Sequence, residues 1–170
     1  LFSNASGSEK LAAIGFRAAF ALAAVAPLVS WAAPDFALRD PAAEFSNPIL
    51  SAVGIFVSAV GAMIAFAAQV SMGASWRVGV KSGALGALIS GGLYDYSRNP
   101  TFCGQALLLI GSAASAPSIA TFLAAVLFVW SASTQIRSEE KVLLQTYGNA
   151  YADYCRRVPR WLGTPKELTS

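Results

Sequence analysis

Residues 99–136 read NPTFCGQALLLIGSAASAPSIATFLAAVLFVWSASTQI, without a single charged side chain. At about 1.5 Å of rise per helical residue, this stretch exceeds one ~30 Å bilayer core and falls just short of two. Ala116-Pro117-Ser118 interrupts it near the middle, and Ser118 can cap a new helix. The stretch therefore predicts a tight helical hairpin, with arms at about 102–115 and 118–136.

The rest of the chain is also strongly apolar. Of its 170 residues, 55% are hydrophobic and 12% are charged, whereas soluble domains carry about 25% charged residues. Two more apolar segments, 11–33 and 49–70, are long enough to cross a bilayer. Each contains a row of small residues that suits close helix packing: Gly15, Ala19 and Ala23 in the first, and Gly54, Ser58 and Ala62 in the second. The sequence predicts an all-α integral membrane protein with about four transmembrane helices and short cytosolic C-terminal helices.

Basic residues predict the orientation in the membrane. They concentrate near residue 10, in 71–101 and in the tail after residue 136, while the acidic loop 34–48 contains only Arg39. Because Lys and Arg mark the cytoplasmic side, we expect both termini of this multi-pass protein to be cytoplasmic, in a prokaryotic inner membrane. Residues 1–10 are expected to form a flexible N-terminus that resembles the remainder of a cleaved tag.

The composition argues against several classes of function. There is no histidine, and the two cysteines, Cys103 and Cys155, lack metal-ligand spacing, so we expect no metal site and two buried free thiols. Outside the tail there is no basic patch interleaved with aromatic residues, which argues against nucleic-acid binding. The three-glycine dinucleotide pattern is absent as well.

Polar segments flank the uncharged stretch on both sides. Before it, Asn99-Pro100 begins a helix whose unpaired backbone N–H groups suit an anionic ligand, and a capped helix at the membrane surface is the alternative. After it comes Arg137-Ser138-Glu139-Glu140. Adjacent helical residues point about 100° apart, so one carboxylate can face inward while the other faces solvent. A fully solvated helix end is the alternative there.

The tail beyond residue 136 predicts two short helices. The first, 137–147, should end at Gly148, and Asn149 is expected to cap the second. The second helix has Tyr151, Tyr154, Cys155 and Val158 on one face. Pro159 prevents its continuation.

Three motifs in combination are similar to those of a known family. They are Met72-Gly73-x-Ser75-Trp76-Arg77-x-Gly79, then Gly92-x-Tyr94-x-x-x-Arg98-Asn99-Pro100-x-Phe102-x-Gly104, then Glu139-Glu140-x-x-Leu143-x-x-x-Tyr147-Gly148-x-x-Tyr151-x-x-Tyr154-x-x-x-Val158-Pro159-Arg160. Over residues 70–161 the chain resembles the isoprenylcysteine carboxyl methyltransferase family and its phospholipid N-methyltransferase relatives. The resemblance implies a membrane enzyme that uses S-adenosylmethionine in a non-Rossmann site. It also implies a division into two membrane helices in 11–70 and a catalytic region in 71–170.

Matching positions imply roles for individual residues. Cofactor contacts are implied for Tyr96, Arg98, Asn99, Pro100, Glu139, Glu140, Tyr151, Tyr154, Val158, Pro159 and Arg160. Arg137 and Glu140 are the implied catalytic residues, with Arg137 holding an anionic acceptor near the reactive methyl group. Many family members have His where this chain has Asn99, which forms hydrogen bonds but cannot act as a base near neutral pH. This departure affects the identity of the acceptor more than that of the cofactor.

The expected acceptor is lipophilic or membrane-bound, membrane lipids are further expected partners, and the oligomeric state stays open. A carboxylate is already ionised at neutral pH, so the absence of histidine favours it over an amine or a thiol that must lose a proton first. Two other functions remain. One is an NADPH-dependent enzyme similar to the membrane sterol reductases, and the other is a non-catalytic membrane protein that binds lipid or a partner chain.

Overall fold

The computed structural model describes residues 7–72, 88 and 90–166, and this part of the chain is helical without a β-strand. Its helices are α1 (Gly7–Ala32), α2 (Pro34–Ala37), α3 (Pro48–Met72), α4 (Pro100–Ser115), α5 (Ile119–Tyr147) and α6 (Asn149–Arg157), with 3₁₀ turns at Pro41–Phe45 and Gly92–Asp95. This confirms the predicted all-α class. Residues 1–6, 73–87, 89 and 167–170 lie outside the described residues, and with them the Gly73–Gly79 part of the first motif.

Three of the described helices are long and apolar enough to cross a membrane, namely α1, α3 and α5. α4 has 16 residues, so it extends about 24 Å and falls short of a ~30 Å bilayer core. The sequence predicts about four spans with a short first hairpin arm, and the structure gives three full-length helices plus this shorter one. The protein is an all-α integral membrane protein.

The α3–α4 pair packs backbone to backbone. A Cβ placed on Gly104 of α4 would come within 2.4 Å of the Ala65 nitrogen, and one on Gly54 within 2.4 Å of the Ser115 nitrogen. The helices are antiparallel, because later residues of α3 meet earlier residues of α4. Small residues allow this approach in lipid, where van der Waals contact stabilises helix pairs.

The predicted small-residue rows are correct for α1 and partly wrong for α3. On α1, Gly15 and Ala19 are buried, with Gly15 against Ser131 of α5. On α3, Ala62 is exposed and Gly61 faces α4 instead. The contact row follows i, i+3, i+4, i+7 spacing rather than strict i+4 spacing, because an α-helix has 3.6 residues per turn.

An aromatic core joins α1, α4 and α5. Phe128 is fully buried, with ring-centroid distances of 5.4 Å to Phe16, 5.7 Å to Phe20 and 6.5 Å to Phe102. Trp161, from the tail, packs against the same cluster. The tail is therefore anchored on the helical bundle.

Two contacts show which helix ends lie together. At one end, Ser138 of α5 donates a hydrogen bond to Glu9 in the first turn of α1. At the other, Asp40 accepts from the Ile119 backbone N–H at 3.0 Å, which joins the 34–48 loop to the hairpin turn. This grouping of helix ends agrees with the predicted topology. Residues 7–10 form the first turn of α1, where the acidic Glu9 favours a helix start.

Most of the helix starts and ends that the sequence predicts are correct. Ser118 caps α5 in a capping box with Thr121, and Gly148 ends that helix with φ +54°, a conformation in which glycine carries little strain. Asn149 does not cap α6, since it is the first residue of that helix. The predicted separate helix 137–147 is the continuous end of α5, because no Gly or Pro interrupts 119–147.

Candidate functional site

Glu140 lies between two arginines at the end where α4 begins and α5 leaves the membrane. Its Oε1 is 3.1 Å from Arg98 Nη2. Arg160 donates to both carboxylate oxygens, with Nε at 3.0 Å from Oε1 and Nη2 at 2.6 Å from Oε2. The Arg98 and Glu140 side chains are only 11% and 15% exposed, against 40% for Arg160. This triad carries a local net charge of +1 from two guanidinium groups and one carboxylate.

The tail crosses the start of α4 as a strap, defined here as residues 158–163. The Arg98 backbone N–H donates to the Pro159 carbonyl at 2.9 Å, and the Gly163 N–H donates to the Tyr96 carbonyl at 3.0 Å. The side-chain amide of Asn99 donates a hydrogen bond to the Arg160 carbonyl at 3.0 Å. The strap therefore holds Arg160 over Glu140 by backbone hydrogen bonds as well as by charge.

The start of α4 leaves polar groups available. Pro100 occupies the first turn, where its missing N–H costs nothing. The Asn99 side chain makes no capping bond to α4. Arg98 Nε is buried without a hydrogen-bond partner, and so is Oε1 of Gln105 in the next turns of α4. Buried polar groups in folded proteins normally have a partner, so the hydrogen bonding at this end of α4 is incomplete.

The tyrosines of α6 form a buried wall beside the triad. Tyr151, Tyr154 and Val158 pack together, and the Tyr154 hydroxyl donates to the Tyr94 carbonyl at 2.7 Å. Burial raises the pKa of Tyr154 to about 12. Burial also raises the pKa values of Tyr151 and Tyr94 above the usual tyrosine range. These phenols are protonated hydrogen-bond donors at neutral pH, and they do not act as bases there.

Three of the residues selected from sequence lie apart from the triad. Glu139 is exposed and accepts from Gln135 Nε2 at 3.0 Å. The Tyr96 side chain is 54% exposed, although its carbonyl anchors the strap. Arg137 is exposed on α5 and lines a groove between α4 and α5. The other selected residues lie in the triad, at the start of α4, in the strap or in the tyrosine wall. They are Arg98, Asn99, Pro100, Glu140, Tyr151, Tyr154, Val158, Pro159 and Arg160.

Sequence reasoning missed two polar contributors. Ser97 is buried, accepts from the Asn99 backbone N–H at 3.0 Å and lies 3.3 Å from Cys103 Sγ. Cys155 was expected to be a buried thiol, but it is half-buried and accepts a hydrogen bond from Arg98 Nη1. The i, i+3, i+4 pattern placed Cys155 on the tyrosine face of α6, but nothing local indicated an arginine partner.

The α4–α5 groove is apolar except at the end formed by Ser133, Thr134 and Arg137, which we call its upper end. It has a volume of about 580 Å³. Its lining consists of Ile110, Ala125, Val126, Val129, Trp130, Ser133, Thr134 and Arg137. Within the described part of the chain, no three His, Cys, Asp or Glu side chains are grouped as a metal site requires.

Comparison with known proteins gives one family. The family model for phospholipid methyltransferase matches residues 49–150, more than half of the chain. The match includes α3, the Arg98–Pro100 segment and Glu140, and it ends before Tyr151 and the strap. No curated protein and no solved structure matched the chain.

Proposed function

Because the chain belongs to the phospholipid methyltransferase family, we propose that this membrane methyltransferase takes its methyl group from S-adenosylmethionine and transfers it to a lipophilic or membrane-bound acceptor. A carboxylate acceptor, as in isoprenylcysteine carboxyl methylation, is favoured. Membership in the family was predicted from the motifs in 70–161, and the match confirms it. The observation that carries the proposal is the Arg98–Glu140–Arg160 triad at the start of α4, in which Arg98 and Glu140 are largely buried.

The residues present suit an amino acid cofactor. Arg98 Nε is a buried donor without a partner, and a carboxylate such as that of the methionine moiety is the natural acceptor for a guanidinium group. Glu140 offers a carboxylate to the amino or hydroxyl groups of the ligand. The Asn99 amide can donate or accept. We assign cofactor binding to Arg98, Asn99, Pro100 and Glu140, together with the tyrosine wall and the strap of the tail.

When bound, S-adenosylmethionine supplies an electrophilic methyl group, and the electron pair of the broken C–S bond stays on sulfur. The chain itself must orient the two reactants and exclude water. The tyrosine wall and the strap, anchored by Trp161 on the helix core, serve water exclusion. Their phenols stay protonated at neutral pH and therefore do not compete as methyl acceptors.

Arg137 is proposed to hold the acceptor. It lies three residues before Glu140 on α5, and residues three apart on a helix are neighbours, about 5–6 Å between Cβ atoms. An anionic acceptor bound to Arg137 is therefore within one helical turn of the proposed cofactor site. The proposal gives Glu139 no contact with the cofactor, since its carboxylate is exposed and bonded to Gln135.

The proposed site lies at the helix ends that carry most of the basic residues. We therefore propose that this end faces the cytoplasm, which delivers the water-soluble cofactor, and that the catalytic region is 71–170. A prokaryotic inner membrane suits this orientation.

The test is methyl transfer from radiolabelled S-adenosylmethionine to the organic-extractable fraction of membranes that contain the purified protein. Label in a base-labile ester is the expected result, since carboxyl methyl esters hydrolyse in mild base and N-methyl groups do not. Stabilisation of the protein by NADPH without any effect of S-adenosylmethionine would favour the reductase alternative. Absence of methyl transfer and of binding by either cofactor would favour the non-catalytic alternative.

A further inference from the structure

The α4–α5 groove runs along one face of α5. Val126, Val129, Ser133 and Arg137 follow one another at spacings of three and four residues, which lines them up on a single helix face. From Val126 to Arg137 the groove covers about 16 Å along the helix axis. Its volume of about 580 Å³ falls in the range of ligand pockets, about 300–1,000 Å³.

The same helix face leads to the triad. Glu140 lies three residues beyond Arg137 and seven beyond Ser133, so it continues the row. The groove therefore opens sideways to the lipid along its apolar length and points at its upper end toward the proposed methyl donor site.

Polarity changes sharply along the groove. Its lower part is apolar, with Val126 68% and Trp130 48% exposed. Its upper end carries Ser133, Thr134 and then Arg137. Arg137 makes no hydrogen bond or ion pair with any residue in the described part of the chain. The nearby carboxylates are engaged elsewhere, Glu139 with Gln135 and Glu140 with the two other arginines.

A cation at the end of an apolar, lipid-facing groove fits a ligand with the opposite polarity. Such a ligand has an apolar chain and a single anionic headgroup at the cytoplasmic surface, where basic pockets between membrane helices bind anionic lipids. The groove is lined by one stripe of α5 and by Ile110 of α4.

We propose that this groove is the chain-binding site of the methyl acceptor. Its occupant is a single-chain carboxylate amphiphile, whose carboxylate binds Arg137 and whose chain lies along Val129, Trp130 and Val126. The inference rests on the proposed function and adds a length limit. Binding strengthens as the chain extends to about 16 Å, the depth of Val126, and longer chains gain little because the groove no longer covers them.

Binding is tested by quenching of Trp130 fluorescence, without any cofactor. The probe is chain-brominated dodecanoate, added to the protein in nanodiscs of zwitterionic lipid, and its reference is the matching brominated alcohol, which has the same chain and no charge. The quenching assigned to Trp130 is the difference in quenching between the wild type and Trp130→Phe. The matched control is Trp31→Phe, at the exposed end of α1.

The acid should quench Trp130 at about tenfold lower membrane content than the alcohol, because one charge-assisted contact to Arg137 is worth about that much. Arg137→Gln should remove the difference, and Lys141→Gln, an exposed cation one turn further, should keep it. Equal quenching by acid and alcohol would mean annular lipid only and would overturn the site. Equally strong quenching by a brominated two-chain anionic phospholipid would overturn the single-chain assignment.

Specificity is tested with octanoic, dodecanoic and hexadecanoic acids as methyl acceptors. We expect kcat/KM to rise from octanoate to dodecanoate and then level off, since each methylene buried in the groove adds to binding. Val126→Trp, which fills the lower end, should reduce kcat/KM for dodecanoate by about tenfold and spare octanoate, whose chain does not reach that depth. Equal loss for both acids, or no chain-length dependence, would overturn the inference. Selective quenching without any methylation would leave the groove standing and refute the proposed function.

Discussion

Glu140→Gln tests the triad through a single buried charge. In the folded protein Glu140 forms an ion pair with Arg98 at 3.1 Å and accepts hydrogen bonds from Arg160 at 2.6–3.1 Å. Removal of one partner of a buried ion pair typically costs about 3–5 kcal/mol, because the other charge stays buried. Glutamine keeps one acceptor oxygen and Arg160 can turn to solvent, so we expect about 2–3 kcal/mol here. This loss lowers the free energy that holds the tail against the start of α4.

Cofactor affinity should fall with tail docking. A ligand that binds only the docked tail has its apparent affinity reduced by the fraction of protein that is docked. At about 1.4 kcal/mol per tenfold, a loss of 2–3 kcal/mol weakens the Kd for S-adenosylmethionine by at most roughly 30- to 140-fold, and this limit is reached when the docked fraction falls by the same factor. Isothermal titration in nanodiscs measures this directly.

The matched control is Glu139→Gln. This neighbouring carboxylate is exposed and accepts a hydrogen bond from Gln135 on the same helix, so its loss should change the cofactor Kd by less than twofold, as for most surface substitutions. The reasoning is refuted if Glu140→Gln binds S-adenosylmethionine as the wild type does, or if Glu139→Gln weakens binding as much.

Three further predictions follow from single contacts. Asn99→Ala removes the 3.0 Å hydrogen bond to the Arg160 carbonyl and should weaken cofactor binding by about fivefold; unchanged affinity by titration would contradict it. Gly104→Leu should force α3 and α4 apart, since even a Cβ there would lie 2.4 Å from an α3 backbone nitrogen, and it should lower the detergent Tm strongly, whereas Gly7→Ala, in open space, should not. Burial raises the pKa of Tyr154 from its ordinary value of 10.0 to about 12. The contribution of this protonated phenol to stability is therefore present below pH 10 and is lost as pH rises through about 12. Tyr154→Phe should flatten the decline of Tm above pH 10, and an identical decline in both proteins would refute this.

Much of the helical framework could be predicted because its signals are local. An uncharged stretch longer than one span, interrupted by Ala116-Pro117-Ser118, leaves a hairpin as the simplest arrangement, and the Ser118 cap is correct. Gly148 ends α5 for a reason confined to its own backbone conformation. Small residues at Gly15 and Ala19 indicated a packing face, which α5 covers.

The errors arose where the outcome depends on which elements meet. Ala62 and Gly61 are both small and adjacent, and only the position of α4 decides that Gly61 is the contact residue. Glu9 accepts a hydrogen bond from Ser138, which is distant in sequence. Such long-range contacts leave no periodic pattern in the sequence.

For the candidate site, the motifs named most of the residues that the structure brings together, but not each contact between them. Helix geometry allowed one of the adjacent carboxylates, Glu139 and Glu140, to face inward, and it could not choose between them. The choice of Glu140 depends on the strap that brings Arg160 back over α5. The hydrogen bond from Arg98 to Cys155 likewise depends on how α6 packs against the start of α4.

The central claim is that the start of α4, the end of α5 and the tail together bind S-adenosylmethionine. Equilibrium binding of radiolabelled S-adenosylmethionine to the purified, folded protein in nanodiscs tests it most directly. We expect saturable binding that unlabelled S-adenosylmethionine displaces and that Glu140→Gln weakens while Glu139→Gln does not. No binding at millimolar S-adenosylmethionine by protein with an intact helical fold would contradict it.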